Sequence, residues 1–189
     1  IDTQATYSVA YEAAPKNYTF YRFDVSDLTG GHSGDDINKG RANSNKIAAR
    51  LLLIAQDEFE GRMSYFDGGN LRNAIPREAY AIIGVPSRLQ EKFQTKAMQF
   101  MADVKDEFSF TEPTMRLALN EMPMVESVLD MSSQCNLLGA LVGVPNGVIA
   151  MSAAIEGLVE TSTNLASVKF TDKDTVIVTT SQRSSVESA

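Results

Sequence analysis

Leu28-Thr29-Gly30-Gly31-His32-Ser33-Gly34-Asp35 divides the hydrophobic pattern of the chain in two. Before it, Tyr21, Phe23 and Val25 fall on one face and Phe20 with Arg22 on the other, the period-two pattern of a strand over Tyr18–Val25. After it, Ile47, Leu51, Ala55 and Phe59 recur every four residues, and Ala48 and Leu52 widen the stripe. That spacing predicts a helix starting near Ala42–Ser44 and ending before Gly61, whose missing side chain suits a left-handed cap. Asp35 and Asp36 lie too far ahead of this helix to cap it.

The octapeptide itself reads as a glycine-rich bend carrying the only imidazole in 189 residues. Two readings are open at this point: a tight turn whose histidine faces water, or a site where the glycines let another group approach closely. No Gly-Lys-Ser or Gly-Lys-Thr closes the run, which argues against a phosphate loop.

Downstream, Arg62–Phe66 leads into Asp67-Gly68-Gly69, a bend, and Pro76 holds Ile75 extended ahead of a strand over Ala79–Val85. Ser87 and Gln90 have the spacing of a helix capping box, and Leu89, Phe93, Ala97, Met101 and Val104 continue a core-facing stripe. Met98 and Met101 are read as packing residues, because no cysteine or histidine is spaced with them. Met115, Leu117 and Leu119 predict another strand. A third helical pattern runs through Val125, Val128, Leu129, Ser132, Leu137 and Leu141 until Gly143 and Pro145 stop it. Leu165–Phe170 and Thr175–Thr180 flank Thr171-Asp172-Lys173-Asp174 as a hairpin. Upstream, residues 1–16 form a short alternating run closed by Pro15, an edge strand or an ordered arm.

The order predicts an α+β fold: a two-layer sandwich with a mainly antiparallel sheet, helices on one face, a βαββαβ-like core, an extra helix and a C-terminal hairpin. A chain of this length can bury roughly 70% of the surface its unfolded form exposes. One domain spanning 1–189 accommodates all the elements. The formal net charge of -7, with the 17 basic residues scattered, excludes a nucleic-acid surface as the reading of composition. No apolar run has membrane length, so no membrane partner is expected, and residues 1–16 lack the pattern of a signal peptide. The chain begins at Ile1 without a methionine, which leaves open a leader removed upstream. Cys135 is the only cysteine, read as a small buried side chain, and it points to a reducing, cytoplasmic compartment.

Three polar motifs remain: Gly30-Gly31-His32-Ser33-Gly34, Asn70-Leu71-Arg72-Asn73-Ala74-Ile75-Pro76 and Gln182-Arg183-Ser184-Ser185. In this order, with Val144-Pro145-Asn146-Gly147-Val148 and Gly157–Leu165 between them, they resemble the lid and dimerisation region of M20 metallopeptidases, on the branch of the aminoacyl-histidine dipeptidases. The resemblance covers nearly the whole chain. It implies an insertion from a larger metallopeptidase whose catalytic domain, outside this chain, binds two divalent metals, usually zinc, and supplies the water-activating glutamate. Glu160 is therefore not given that part. Within this chain no cofactor is expected, since a lone histidine and no cysteine cluster cannot build a catalytic zinc site.

The resemblance further implies that His32 stabilises the tetrahedral oxyanion, that Asn73 orients substrate, and that Arg183 clamps the substrate carboxylate, with Arg72 as its alternative. Thr163 and Asn164 are secondary candidates, explained nearly as well by a bend at a strand start. The implied partners are the M20 catalytic domain, a second copy in a homodimer, and a dipeptide. A pure assembly module and a non-catalytic peptide-binding domain stand as the alternatives.

Overall fold

The computed structural model describes residues 1–172 and 174–186. Twelve strands and three helices follow in the order β1 (Asp2–Ser8), β2 (Tyr11–Ala13), β3 (Tyr18–Ser26), β4 (Gly31–His32), α1 (Ser44–Phe59), β5 (Arg62–Gly68), β6 (Ala74–Ile75), β7 (Ala79–Pro86), α2 (Gln90–Glu107), β8 (Arg116–Met122), β9 (Ser127–Leu129), α3 (Met131–Gly143), β10 (Gly147–Met151), β11 (Val159–Asp172) and β12 (Thr175–Ser184) among the described residues. The main sheet runs β1-β12-β11-β5-β7-β3-β8, with β10 added to β11, and its pairs are antiparallel. The α+β sandwich with helices on one face is thus the architecture observed.

At its centre β3-α1-β5 and β7-α2-β8 interleave, each helix crossing over one intervening strand. The helix-facing side is built by alternation: Tyr21, Phe23 and Val25 on β3, and Ala79, Ala81, Ile83 and Val85 on β7, are all buried in one core. Bulges on β5 and β11 keep the alternation in phase, so that Met63 and Phe66, and Leu165 and Val168, point the same way. Against this side pack Ile47, Leu51, Leu52 and Ala55 of α1, Phe93, Ala97 and Val104 of α2, and Leu137, Leu138 and Leu141 of α3. Phe93 stands 5.5 Å from Tyr21 and 5.6 Å from Phe59 between ring centres, locking α2 to both β3 and α1. On the opposite side Phe20, Ala14 and Val128 make a small second core under the β2-β9 pair.

Several expectations need correction. The left-handed residue that ends α1 is Glu60, not Gly61. Gly61 is required for a different reason, because a Cβ there would stand 2.6 Å from the backbone of Ala55. Ser87 and Gln90 do not close a capping box: Ser87 Oγ and Gln90 Oε1 meet Thr19 Oγ1 on β3, and a 3-10 turn precedes α2. Val128 and Leu129 belong to a strand, and α3 begins only at Met131 after the Asp130 cap, whose carboxylate accepts from the Ser133 amide. Cys135 is exposed, while its neighbour Gln134 is buried and bonded to the Met63 amide and Gly61 carbonyl. Met101 packs against the core, but Met98 points into solvent. Strand β10 had no counterpart in the hydrophobic pattern. Of the expected hairpin turn, Lys173 lies outside the described residues.

Candidate functional site

His32 lies in β4, which pairs with β6 so that His32 faces Ala74 and Gly31 faces Ile75. The next amide, Ser33 N, donates to the Asn73 carbonyl at 2.9 Å. The glycine bend and the Asn-Ala-Ile-Pro segment are therefore two sides of one short ribbon. That ribbon is tied to the main sheet by Asn164, which is fully buried and donates from Nδ2 to the Ala74 carbonyl at 2.8 Å.

Each backbone turn of the bend is held by a side chain from elsewhere. Arg77 Nε donates to the Leu28 carbonyl at 2.9 Å, and Arg41 Nη1 to the Gly30 carbonyl at 2.6 Å. Asp36 Oδ2 accepts from the His32 amide at 2.8 Å, and the Asp36 amide returns a bond to the His32 carbonyl. The Lys39 ammonium 2.5 Å from Oδ1, then the His32 amide, hold the Asp36 carboxyl down at about 2. Gly31 has φ 139°, and a Cβ there would fall 2.2 Å from Arg41 Nη1 and 2.5 Å from Asp36 Oδ2. Only glycine leaves room for this clamp.

So held, the imidazole is 39% exposed and faces Arg183 of β12, with Nη2 3.4 Å from His32 Nε2 across 151 residues of sequence. Asp35 Oδ2 stands 3.2 Å from Nδ1 on the other side of the ring. A guanidinium only donates, so Nε2 is the acceptor at this contact, while the Asp35 amide stands 3.4 Å from Nδ1 beside the carboxylate of the same residue. Arg183 also lies over Gly34, where a Cβ would meet Nη1 at 2.9 Å. Ser33 Oγ, on the residue after His32, is buried and has no hydrogen-bond partner among the described residues.

The six residues singled out in the sequence are thus distributed in three ways. His32 and Arg183 meet; Asn73 adjoins them through its backbone, with an exposed side chain. Thr163 and Asn164 are buried on β11, where Thr163 pairs in register with Gln182, next to Arg183 on β12. Arg72 is 75% exposed and stands 3.4 Å from Asp2 at the start of β1. Asn43 also accompanies the site: its Nδ2 donates to Asn146 Oδ1 and to the Leu165 carbonyl, joining the start of α1 to β11. Asp36, Arg41 and Arg77 were missed because a charged residue in a loop carries no periodic signal.

Two clefts border this region, one lined by Asn70, Leu71, Ala74 and Arg77, the other by Arg41, Asn43, Lys46 and Asn146; His32 and Arg183 line neither. Among the described residues no group of three His, Cys, Asp or Glu side chains could hold a metal ion. No helix among the described residues is long and apolar enough to cross a membrane.

Residues 24–112 match the model of a peptidase dimerisation domain. A cytosol non-specific dipeptidase of Escherichia coli (strain K12) is 33% identical over 177 residues, which make up 94% of this chain and 36% of that protein. The crystal structure of an aminoacylhistidine dipeptidase from Vibrio alginolyticus superposes with a TM-score of 0.93 at 34% identity, over 99% of this chain and 38% of that one. The chain spans little more than a third of the length of these relatives.

Proposed function

We propose that this chain, the dimerisation domain of an M20 peptidase, is the lid of a metal-dependent dipeptidase, an Xaa-His dipeptidase, that presents His32 and Arg183 to a substrate held by a separate catalytic domain. The observation that carries this reading is the 3.4 Å meeting of His32 and Arg183 at an open end of the sheet. The two side chains suit consecutive tasks on one small peptide. A protonated imidazole donates from Nε2 to the oxyanion that develops when water attacks the scissile carbonyl, and Asp35 beside Nδ1 offsets the added charge. Arg183 turns from the ring to grip the terminal carboxylate through two parallel donors. Asn73 offers an exposed amide on the adjoining ribbon to orient the peptide.

The metals, two divalent ions and by family zinc, belong to the catalytic domain in this reading, and their chemistry there is activation of the attacking water. The chain's residues contribute charge and orientation, so the chain alone has no turnover. Its partners are that domain, a second copy of the chain, and the dipeptide; the compartment is the cytoplasm.

The test uses the complete enzyme that carries this domain. His32→Ala should lower kcat about a hundredfold or more with little change in KM, metal content or unfolding temperature. Arg183→Ala should chiefly raise KM, by roughly tenfold or more. Mixed dimers with His32→Ala in one subunit and a disabled metal site in the other separate action within a subunit from action across the dimer. Near-normal turnover in a folded, fully metallated His32→Ala enzyme would refute the reading. In that case the assembly module is the better description.

A further inference from the structure

One buried carboxylate has no part in the scheme above. Glu112 is 3% exposed, in the turn that follows α2, and it sits between the two ends of the segment that carries His32. Its Oε2 accepts from the Thr29 amide at 2.6 Å and its Oε1 from the Ala42 amide at 2.9 Å. The preceding residue repeats the arrangement: the Thr111 carbonyl accepts from Thr29 Oγ1 at 2.9 Å, and Thr111 Oγ1 donates to the Gly40 carbonyl at 3.0 Å. Residues 29–42 therefore form a loop whose neck is drawn together on two adjacent residues, an Ω-loop with His32 on its rim.

Inside the loop Asp36, Lys39 and Arg41 fix the His32 amide and the Gly30 carbonyl, so the loop interior is stiff. What orients this stiff body relative to β12 is its attachment at the neck. A carboxylate can accept from two separate backbone amides at once, one on each oxygen, and burial strengthens both bonds. We propose that Glu112 is a positioning residue that clasps the neck of the 29–42 loop and thereby sets where the His32 imidazole stands relative to Arg183. The catalytic consequence rests on the function proposed above, but the clasp itself does not.

The experiment exploits His32 being the only histidine, so that one set of imidazole NMR signals in the 189-residue chain reports its environment without ambiguity. Glu112→Gln keeps the shape but turns one end of the clasp into a donor, which faces a backbone N–H. In the folded variant the His32 signals should shift or broaden, and amide exchange protection over 29–42 should fall at least tenfold while that of α1 and β7 holds. In the complete enzyme kcat should fall about tenfold to a hundredfold with KM within about twofold, the signature of a misplaced catalytic group. Unmoved His32 signals and unchanged loop protection in folded Glu112→Gln overturn the proposal. Should that variant not fold, Glu112→Asp is read in its place: it keeps the charge but is one methylene short of reaching the Thr29 and Ala42 amides together, and unmoved His32 signals in it are equally fatal. If the loop responds, and His32→Ala lowers turnover but Glu112→Gln does not, positioning fails. If the loop responds and neither variant changes turnover, the function proposed for His32 fails and the clasp stands.

Discussion

Replacing Asn43 by alanine should be among the most damaging single polar substitutions in the chain. Asn43 is 4% exposed and caps α1: its Oδ1 accepts from the amides of Asn45 at 3.0 Å and Lys46 at 3.2 Å. Its Nδ2 meanwhile donates to Asn146 Oδ1 at 2.9 Å and to the Leu165 carbonyl at 3.0 Å. Loss of the cap costs about 1 kcal/mol by itself. Because Asn45 is buried, its amide is left without an acceptor, which adds about 1–3 kcal/mol. The two acceptors on the other side fare better, since the Leu165 carbonyl keeps Asn45 Nδ2 and Asn146 Oδ1 keeps the Leu165 amide. The expected total is about 2–4 kcal/mol, or roughly 4–16 °C in unfolding temperature for a chain of this size. Asn43→Ser restores the cap acceptor that carries the costed part of the loss, and should recover most of it. Thermal and urea unfolding of the three proteins decides the matter. A loss below about 0.5 kcal/mol for Asn43→Ala, comparable to an ordinary surface change, would refute the view that this side chain is the buried cap of α1.

Acid should release the His32 loop before the core. The Asp36 carboxyl is depressed to about 2, so its contribution is complete above the ordinary carboxylate range near pH ~4 and is lost as the pH falls through about 2. The His32 amide should keep its exchange protection down to about pH 4 and lose it below, and Asp36→Asn should show weakened protection at every pH; protection unaffected by this substitution would refute the clamp. Cys135, being exposed, should react fully with a thiol reagent in the folded chain without lowering the unfolding temperature, whereas a thiol reacting only on unfolding would place it back in the core.

The division between what residues announce locally and what the fold decides follows from the range of the forces involved. Alternation over Tyr18–Val25 and four-residue spacing from Ile47 to Phe59 report local geometry, since a buried face must repeat at the period of its own element. That is enough for the elements, their order and the layer arrangement. Where a short segment could satisfy either period, tertiary contact chose: Val128 and Leu129 pair with β2 as a strand although they continue a helical stripe. Ser87 and Gln90 carry a capping pattern, yet Thr19 on β3 engages them instead. The glycines of the bend, the Asn-Ala-Ile-Pro segment and Arg183 could be marked as candidates from residue type alone. Their meeting could not, because His32 and Arg183 approach each other only after β12 is laid beside β11 and the ribbon is fastened by Asn164. Glu112 is the extreme case. An acidic residue between a threonine and a proline looks like a solvated turn, and it becomes a buried clasp only because two backbone amides, from positions 29 and 42, converge on it in the folded chain.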